Sequence, residues 1–143
     1  MADKHTILYA EDDLDDLFIV KQAFEIYDGD ITILHASNGF ETMQLMKDLE
    51  NKEKLPCLIV LDINMPGMDG RETLIQLKQH ERFKSIPVVL FTTSSSSLDK
   101  AFADKWGAKF ITKPLVYAEM EKMVDTFIAF CDFGPAKVPG SRN

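Results

Sequence analysis

Five short apolar runs, four of them leading into a residue able to do chemistry, constrain this 143-residue chain more than any other feature. Thr6–Ala10 runs into Glu11-Asp12-Asp13, and Cys57–Leu61 stops at Asp62. Val88–Phe91 follows Pro87 and ends in Thr92-Thr93, while Phe110-Ile111 leads to Lys113-Pro114. Ile31–Ala36 completes the set. Runs this short, and apolar on both faces, suit strands covered from two sides, as in a parallel sheet. Between them apolar residues recur at steps of three and four: Leu17, Val20 and Phe24, then Met43, Met46 and Leu49, then Leu74 and Leu77, then Leu98 and Phe102. Met120, Met123, Val124 and Phe127 continue the pattern, which is that of a helix with one buried face. Asp13 or Asp15 can cap the first helix, Asn38 the second and Ser97 the fourth.

Strand–helix alternation repeated five times predicts an α/β fold: a doubly wound, five-stranded parallel sheet with helices on both faces. The length suits one domain, which we place over residues 1–133. Residues 134–143, rich in turn formers with little to pack, are expected to form a flexible tail.

Charge excludes some functions. With 16 Lys+Arg against 23 Asp+Glu, the formal net charge is −7, and no basic cluster offers a surface for nucleic acid. No apolar run approaches the ~20 residues of a membrane span, and the N-terminus lacks a signal-peptide core. Two cysteines, Cys57 and Cys131, make no disulfide framework, so the expectation is a cytoplasmic protein with reduced thiols.

Open parallel sheets bind ligands beyond the carboxyl ends of their strands. There this chain brings together Glu11, Asp12 and Asp62, a hydroxyl from Thr92 or Thr93, and the ammonium of Lys113. Crowded carboxylates repel unless a cation intervenes, and hard oxygen ligands without nearby His or Cys favour Mg²⁺. A carboxylate beside such an ion can act as a nucleophile toward phosphorus. Phosphoryl transfer then needs positioning and charge neutralisation, which a metal, a lysine and a threonine can provide.

The strings Ile7–Asp13, Leu61–Gly70 and Phe110–Leu115, in this order and with Thr92 between the last two, resemble receiver domains of two-component response regulators. The resemblance covers roughly residues 5 to 131 and implies a flavodoxin-like, receiver-type fold. It makes Asp62 the phosphoacceptor, with Glu11, Asp12, Asp62 and the backbone carbonyl of Asn64 around Mg²⁺. It makes Thr92, with Thr93 beside it, the switch hydroxyl, and Lys113 the contact to a phosphoryl oxygen. Pro114 would orient that lysine through a cis bond. Phe110 holds the switch-aromatic position without the hydroxyl many relatives carry, which leaves steric exchange as its means of coupling. The implied phosphodonor is a sensor histidine kinase or a phosphotransfer protein, and the chain is expected to signal rather than turn over substrate. The apolar surplus of the last helix suggests homodimerisation, or docking of a downstream protein, through the fourth and fifth helices.

Two other readings are weaker. A phosphatase with an aspartate nucleophile needs a second acid two residues on, where Asn64 stands. A flavodoxin-like electron carrier needs a phosphate nest after the first strand, where this chain has carboxylates, although Thr92–Ser97 is rich in hydroxyls.

Overall fold

The computed structural model describes residues 5–25 and 31–131; the tail expected over 134–143 lies outside them. Its elements alternate: β1 (His5–Ala10), α1 (Leu14–Phe24), β2 (Ile31–Ala36), α2 (Gly39–Asn51), β3 (Leu58–Leu61), α3 (Gly70–Gln79), β4 (Val88–Thr92), α4 (Ser97–Lys105), β5 (Lys109–Thr112) and α5 (Tyr117–Phe130). The strands form one parallel sheet in the order β2-β1-β3-β4-β5. The chain direction across the sheet reverses between β1 and β3, which opens a crevice at their carboxyl ends.

Period-two alternation splits the interior into two cores. Leu8, Ala10, Ile59, Leu61, Val88 and Leu90 face α2, α3 and α4, where Met46, Leu49, Leu74, Leu77 and Ala103 meet them. Ile7, Tyr9, Leu58, Val60, Val89 and Phe91 face α1 and α5, against Leu17, Val20, Phe24, Val124 and Phe127. Each fully buried Val, Leu, Ile, Met or Phe side chain contributes roughly 1.5–3 kcal/mol over leaving it in water. Coverage on two sides is complete for β1's last four residues, β3 and β4, while the edge strands β2 and β5 are partly exposed.

Side-chain caps fix where the helices begin. Asp13 accepts from the N–H groups of Asp15 and Asp16, Asn38 from Glu41, and Asp69 from Glu72. Ser96, rather than Ser97, caps α4 by accepting from Leu98 and Asp99. That start turns Asp99, Phe102, Ala103 and Trp106 inward and leaves Leu98 80% exposed, so Leu98 does not share a core face with Phe102 as its spacing suggested. Helix α4 ends in a Schellman motif: Ala108 N–H bonds the Ala103 carbonyl and Gly107 N–H that of Asp104. Gly107 takes the left-handed φ of 73° that this ending requires.

One further expectation, that of reduced thiols, is corrected. Cys57, at the entrance to β3, and Cys131, just past α5, are joined in a disulfide across 74 residues, with Cα atoms 5.0 Å apart. The fold lays the end of α5 over the start of β3, a proximity that spacing along the chain does not reveal. The apolar surplus of α5 is absorbed by the domain itself. Met120, Val124, Phe127, Ile128 and Cys131 are buried, and Met123 and Phe130 pack against the same core.

Candidate functional site

The site is built by extending three strands one residue past their ends. Glu11 N–H bonds the Ala36 carbonyl at 2.9 Å, Asp62 N–H bonds Ala10 at 3.0 Å, and Lys113 N–H bonds Thr92 at 2.6 Å. These bonds continue the parallel ladders, so the three side chains leave the sheet along a single rim. Glu11 is held further: a His35 ring nitrogen lies 2.7 Å from its carbonyl, and its carboxylate accepts from Asp13 N–H.

The lysine spans the crevice. Its Nζ lies 2.5 Å from Glu11 Oε1, 3.0 Å from Asp16 Oδ2 and 3.4 Å from Asp62 Oδ2, and sits 5.9 Å over the Phe91 ring. Glu11, Asp62 and Lys113 are all less than 9% exposed, whereas Asp12 opens to solvent. Burial works against the Lys113 charge, but its hydrogen bond to Glu11 and the charges of Glu11 and Asp62 outweigh it and raise the lysine above its ordinary range. Burial likewise dominates at Glu11 and lifts its carboxyl to about 8 against the pull of Lys113. Lys113 therefore stays charged, and Glu11 does not ionise freely without a further cation.

Carboxylate oxygens of Glu11, Asp12 and Asp62 lie within 4.8 Å of one another. Three hard donors, one open to solvent, with a charge deficit that one ammonium leaves unbalanced, fit a small divalent cation that keeps part of its water shell.

The other expected site residues lie in β4 and β5 and in the segments that follow β3, β4 and β5. Thr92 is fully buried at the end of β4, and its Oγ1 accepts from Ser94 N–H at 3.3 Å. Thr93 points to solvent, as does Asn64 in the loop after Asp62. Phe110 is half-buried against the α2–α4 core and lines a groove of about 590 Å³ between α4 and β5, together with Lys100, Asp104 and Lys109. The bond before Pro114 is trans, since no described peptide is cis. Trans is the ordinary preference before proline, and Lys113 is aimed instead by its N–H bond to Thr92 and by three carboxylates.

One residue of the site was not singled out from the sequence. Asp16, in the first turn of α1, ends no strand, yet it holds Lys113. Its place beside Leu17 and one turn before Val20, both buried, is the signal that it faces inward.

A family model described as response regulator receiver domain matches residues 7–125. The chain belongs to the response regulator receiver family. Response regulator Rcp1 of Synechocystis is 31% identical over 128 residues, covering 87% of this chain and 86% of that protein. A crystal structure of Rcp1 in its Mn²⁺-bound form superposes with a TM-score of 0.79 at 29% identity, covering 92% and 97% of the two chains. The phosphorylated cyanobacterial phytochrome response regulator RcpA gives 0.83 at 26% identity over 90% of this chain and 94% of that one. Sensor histidine kinase CheAY of Helicobacter pylori is 34% identical over 85 residues, and there the receiver match spans only 10% of a much longer protein. Receiver domains bind a divalent metal and are phosphorylated by histidine kinases, so this receiver domain is a signalling protein.

Proposed function

We propose that this receiver domain accepts a phosphoryl group on Asp62 in a Mg²⁺-dependent reaction. The observation that carries the reading is the Asp62 carboxylate, buried at the sheet's switch point within 4.8 Å of two further carboxylate donors and 3.4 Å from Lys113. Glu11, Asp12, Asp62 and the carbonyl of Asn64 would hold the ion, which supplies charge neutralisation for the phosphoryl oxygens. An Asp62 oxygen attacks phosphorus, the bond from phosphorus to the donor's imidazole nitrogen breaks, and the electron pair leaves on that nitrogen. Lys113, freed from part of its carboxylate shell, would pair with a phosphoryl oxygen. Thr92 would exchange its Ser94 N–H contact for the same group, and Phe110 would shift into the space it leaves.

The donor we infer is a sensor histidine kinase or phosphotransfer protein in the cytoplasm. Output would pass to a downstream protein, or to a second copy, at the α4–β5 side around Phe110. The aspartyl phosphate is a signalling state rather than a step in turnover, because Asn64 supplies no second acid. The carboxylates after β1 stand where a flavin phosphate would need N–H donors, which disfavours an electron carrier.

The test is labelling with acetyl phosphate and Mg²⁺, read by intact mass. One phosphoryl group per chain, absent from Asp62→Asn and from EDTA-treated protein, is expected. Labelling of Asp62→Asn, or sustained turnover of p-nitrophenyl phosphate, would overturn the reading.

A further inference from the structure

The segment joining β4 to α4 leaves the sheet at the carboxyl end of β4, next to Thr92, yet apolar packing does little to place it. From Thr93 through Leu98 no side chain is buried. Polar contacts that converge on Ser94 hold it instead. Ser94 N–H donates to Thr92 Oγ1, and its carbonyl accepts from Thr112 Oγ1 at 3.2 Å. The Ser94 hydroxyl accepts from Ser96 N–H at 3.1 Å and donates to Asp99 Oδ2 at 2.7 Å. The other oxygen of Asp99 meets Arg71 Nη2 at 2.8 Å.

Asp99 is unusual. Among the described residues it is the one buried acid outside the Lys113 cluster, with a side chain 10% exposed. Each of its oxygens is used, one by the loop and one by α3. The α3 end is firm, because Gly70 N–H bonds the Ile63 carbonyl and a Cβ on Gly70 would stand 2.3 Å from the Asp62 carbonyl oxygen. The Arg71 backbone is therefore held against that of Asp62, while Ser94 is bonded to the hydroxyl of Thr92. A chain of three side chains connects the two halves of the site from outside.

We propose that Arg71, Asp99 and Ser94 form a latch that holds the β4–α4 segment in its resting position and keeps Thr92 engaged with Ser94. This rests on Asp62 being the phosphoacceptor. For Thr92 to reach a phosphoryl oxygen, its hydroxyl must leave Ser94 N–H, and the segment carrying Ser94 must move with it. The Ser94–Asp99–Arg71 contacts belong to the resting arrangement, so they oppose that movement. An interaction present in only one of two states shifts their balance by its own strength. The three are positioning residues, none of which touches the phosphoryl group.

The experiment uses beryllium fluoride with Mg²⁺ as the phosphoryl mimic and calorimetric titration of the full chain. Arg71→Ala and Ser94→Ala should each bind it about fivefold tighter than wild type, the lower end of ordinary coupling between sites. Combined, they should gain no more than either alone, because both act through Asp99. Thermal unfolding of the same proteins should show unchanged or lowered stability, so that tighter binding cannot be a general stabilisation. Equal or weaker affinity, or gains that multiply in the double variant, would overturn the latch. Asp62→Asn must not bind; should the wild-type protein also fail to bind, the phosphoacceptor reading falls and takes the latch with it. Should wild type bind and the variants match it, the latch alone falls.

Discussion

Lys113 and Asp16 meet at 3.0 Å across 97 residues of sequence, so the first turn of α1 takes part in holding the lysine that faces Asp62. Asp16 is about a quarter exposed, which weakens its share relative to Glu11. Asp16→Asn should cost about 1 kcal/mol, a fall of roughly 3 °C in melting temperature for a chain this size. Acetyl phosphate should still label Asp62, because Glu11 and Asp62 continue to hold the ammonium. Thermal unfolding and intact mass together check this. A loss of labelling would give Asp16 a direct part in the chemistry.

Removing the lysine is more severe. Lys113→Met leaves Glu11 and Asp62 buried without their cation, and breaking a buried pair from one side costs about 3 kcal/mol or more. The deficit should be largest in EDTA and shrink with excess MgCl₂, since a cation bound only by the folded state stabilises it. Denaturant unfolding in the two conditions measures the difference. An equal loss in both would mean that the lysine and the metal do not share these carboxylates.

The strand-end residues were legible in the sequence because a parallel ladder has one register. Once five apolar runs are recognised, Glu11, Asp62, Thr92 and Lys113 must end at the same rim. What the sequence could not show depends on direction and on distance in the fold. Asp16 and Asp99 both sit in the first turn of a helix, where an acid is favourable whichever way it points. Only the position of the cap, Asp13 in one case and Ser96 in the other, decides that both turn inward. The same one-residue choice of cap put Leu98 outside. The cysteine bridge joins two elements 74 residues apart, and the bond before Pro114 keeps the ordinary trans form where a cis bond was expected.

Acid should stabilise the metal-free protein at this site. Burial raises Glu11 from 4.5 to about 8, so between those values the folded chain holds a proton that the unfolded chain has released. Stability from this group is therefore complete below about pH 4.5 and is lost as pH rises through about 8. Unfolding in EDTA across that range should show the decline, and Glu11→Gln, which cannot titrate, should flatten it. Mg²⁺ should bind more tightly as pH rises over the same interval, because the proton must leave before the carboxylate can hold the ion. A flat profile for the wild-type protein would contradict the burial of Glu11.

Gly70 keeps α3 against the phosphoacceptor strand. A methyl there would press within 2.3 Å of the Asp62 carbonyl oxygen and 2.8 Å of the Ile63 Cα, both backbone atoms that cannot rotate away. Gly70→Ala should cost about 2 kcal/mol and slow acetyl phosphate labelling, since any relief moves Asp62 itself. Gly107→Ala makes the comparison: nothing lies within 4 Å of its Cβ position, so its cost comes from its left-handed backbone and labelling should be unaffected. Equal labelling rates in the two variants would disconnect α3 packing from the site.

The Cys57–Cys131 bridge closes a long loop, from the entrance of β3 to the residue after α5. Closing a loop of 74 residues restricts the unfolded chain by an amount worth up to about 4 kcal/mol. Reduction should therefore lower the melting temperature by about 10 °C. Cys131→Ser should reproduce the fall and make the protein indifferent to dithiothreitol. The bridge lies at the amino ends of the strands, opposite the rim that carries Asp62, so reduced protein should still take one phosphoryl group from acetyl phosphate. Phosphorylation that needs the bridge would show that the end of α5 is coupled to the site through the core shared by Phe127, Phe91 and Tyr9, whose rings stack edge to face between the two. An unchanged melting temperature on reduction would mean the two thiols are not joined in solution. Bridges of this kind are uncommon where glutathione keeps thiols reduced, so alkylating the protein before cell lysis and counting modified cysteines by mass would also test the cytoplasmic placement.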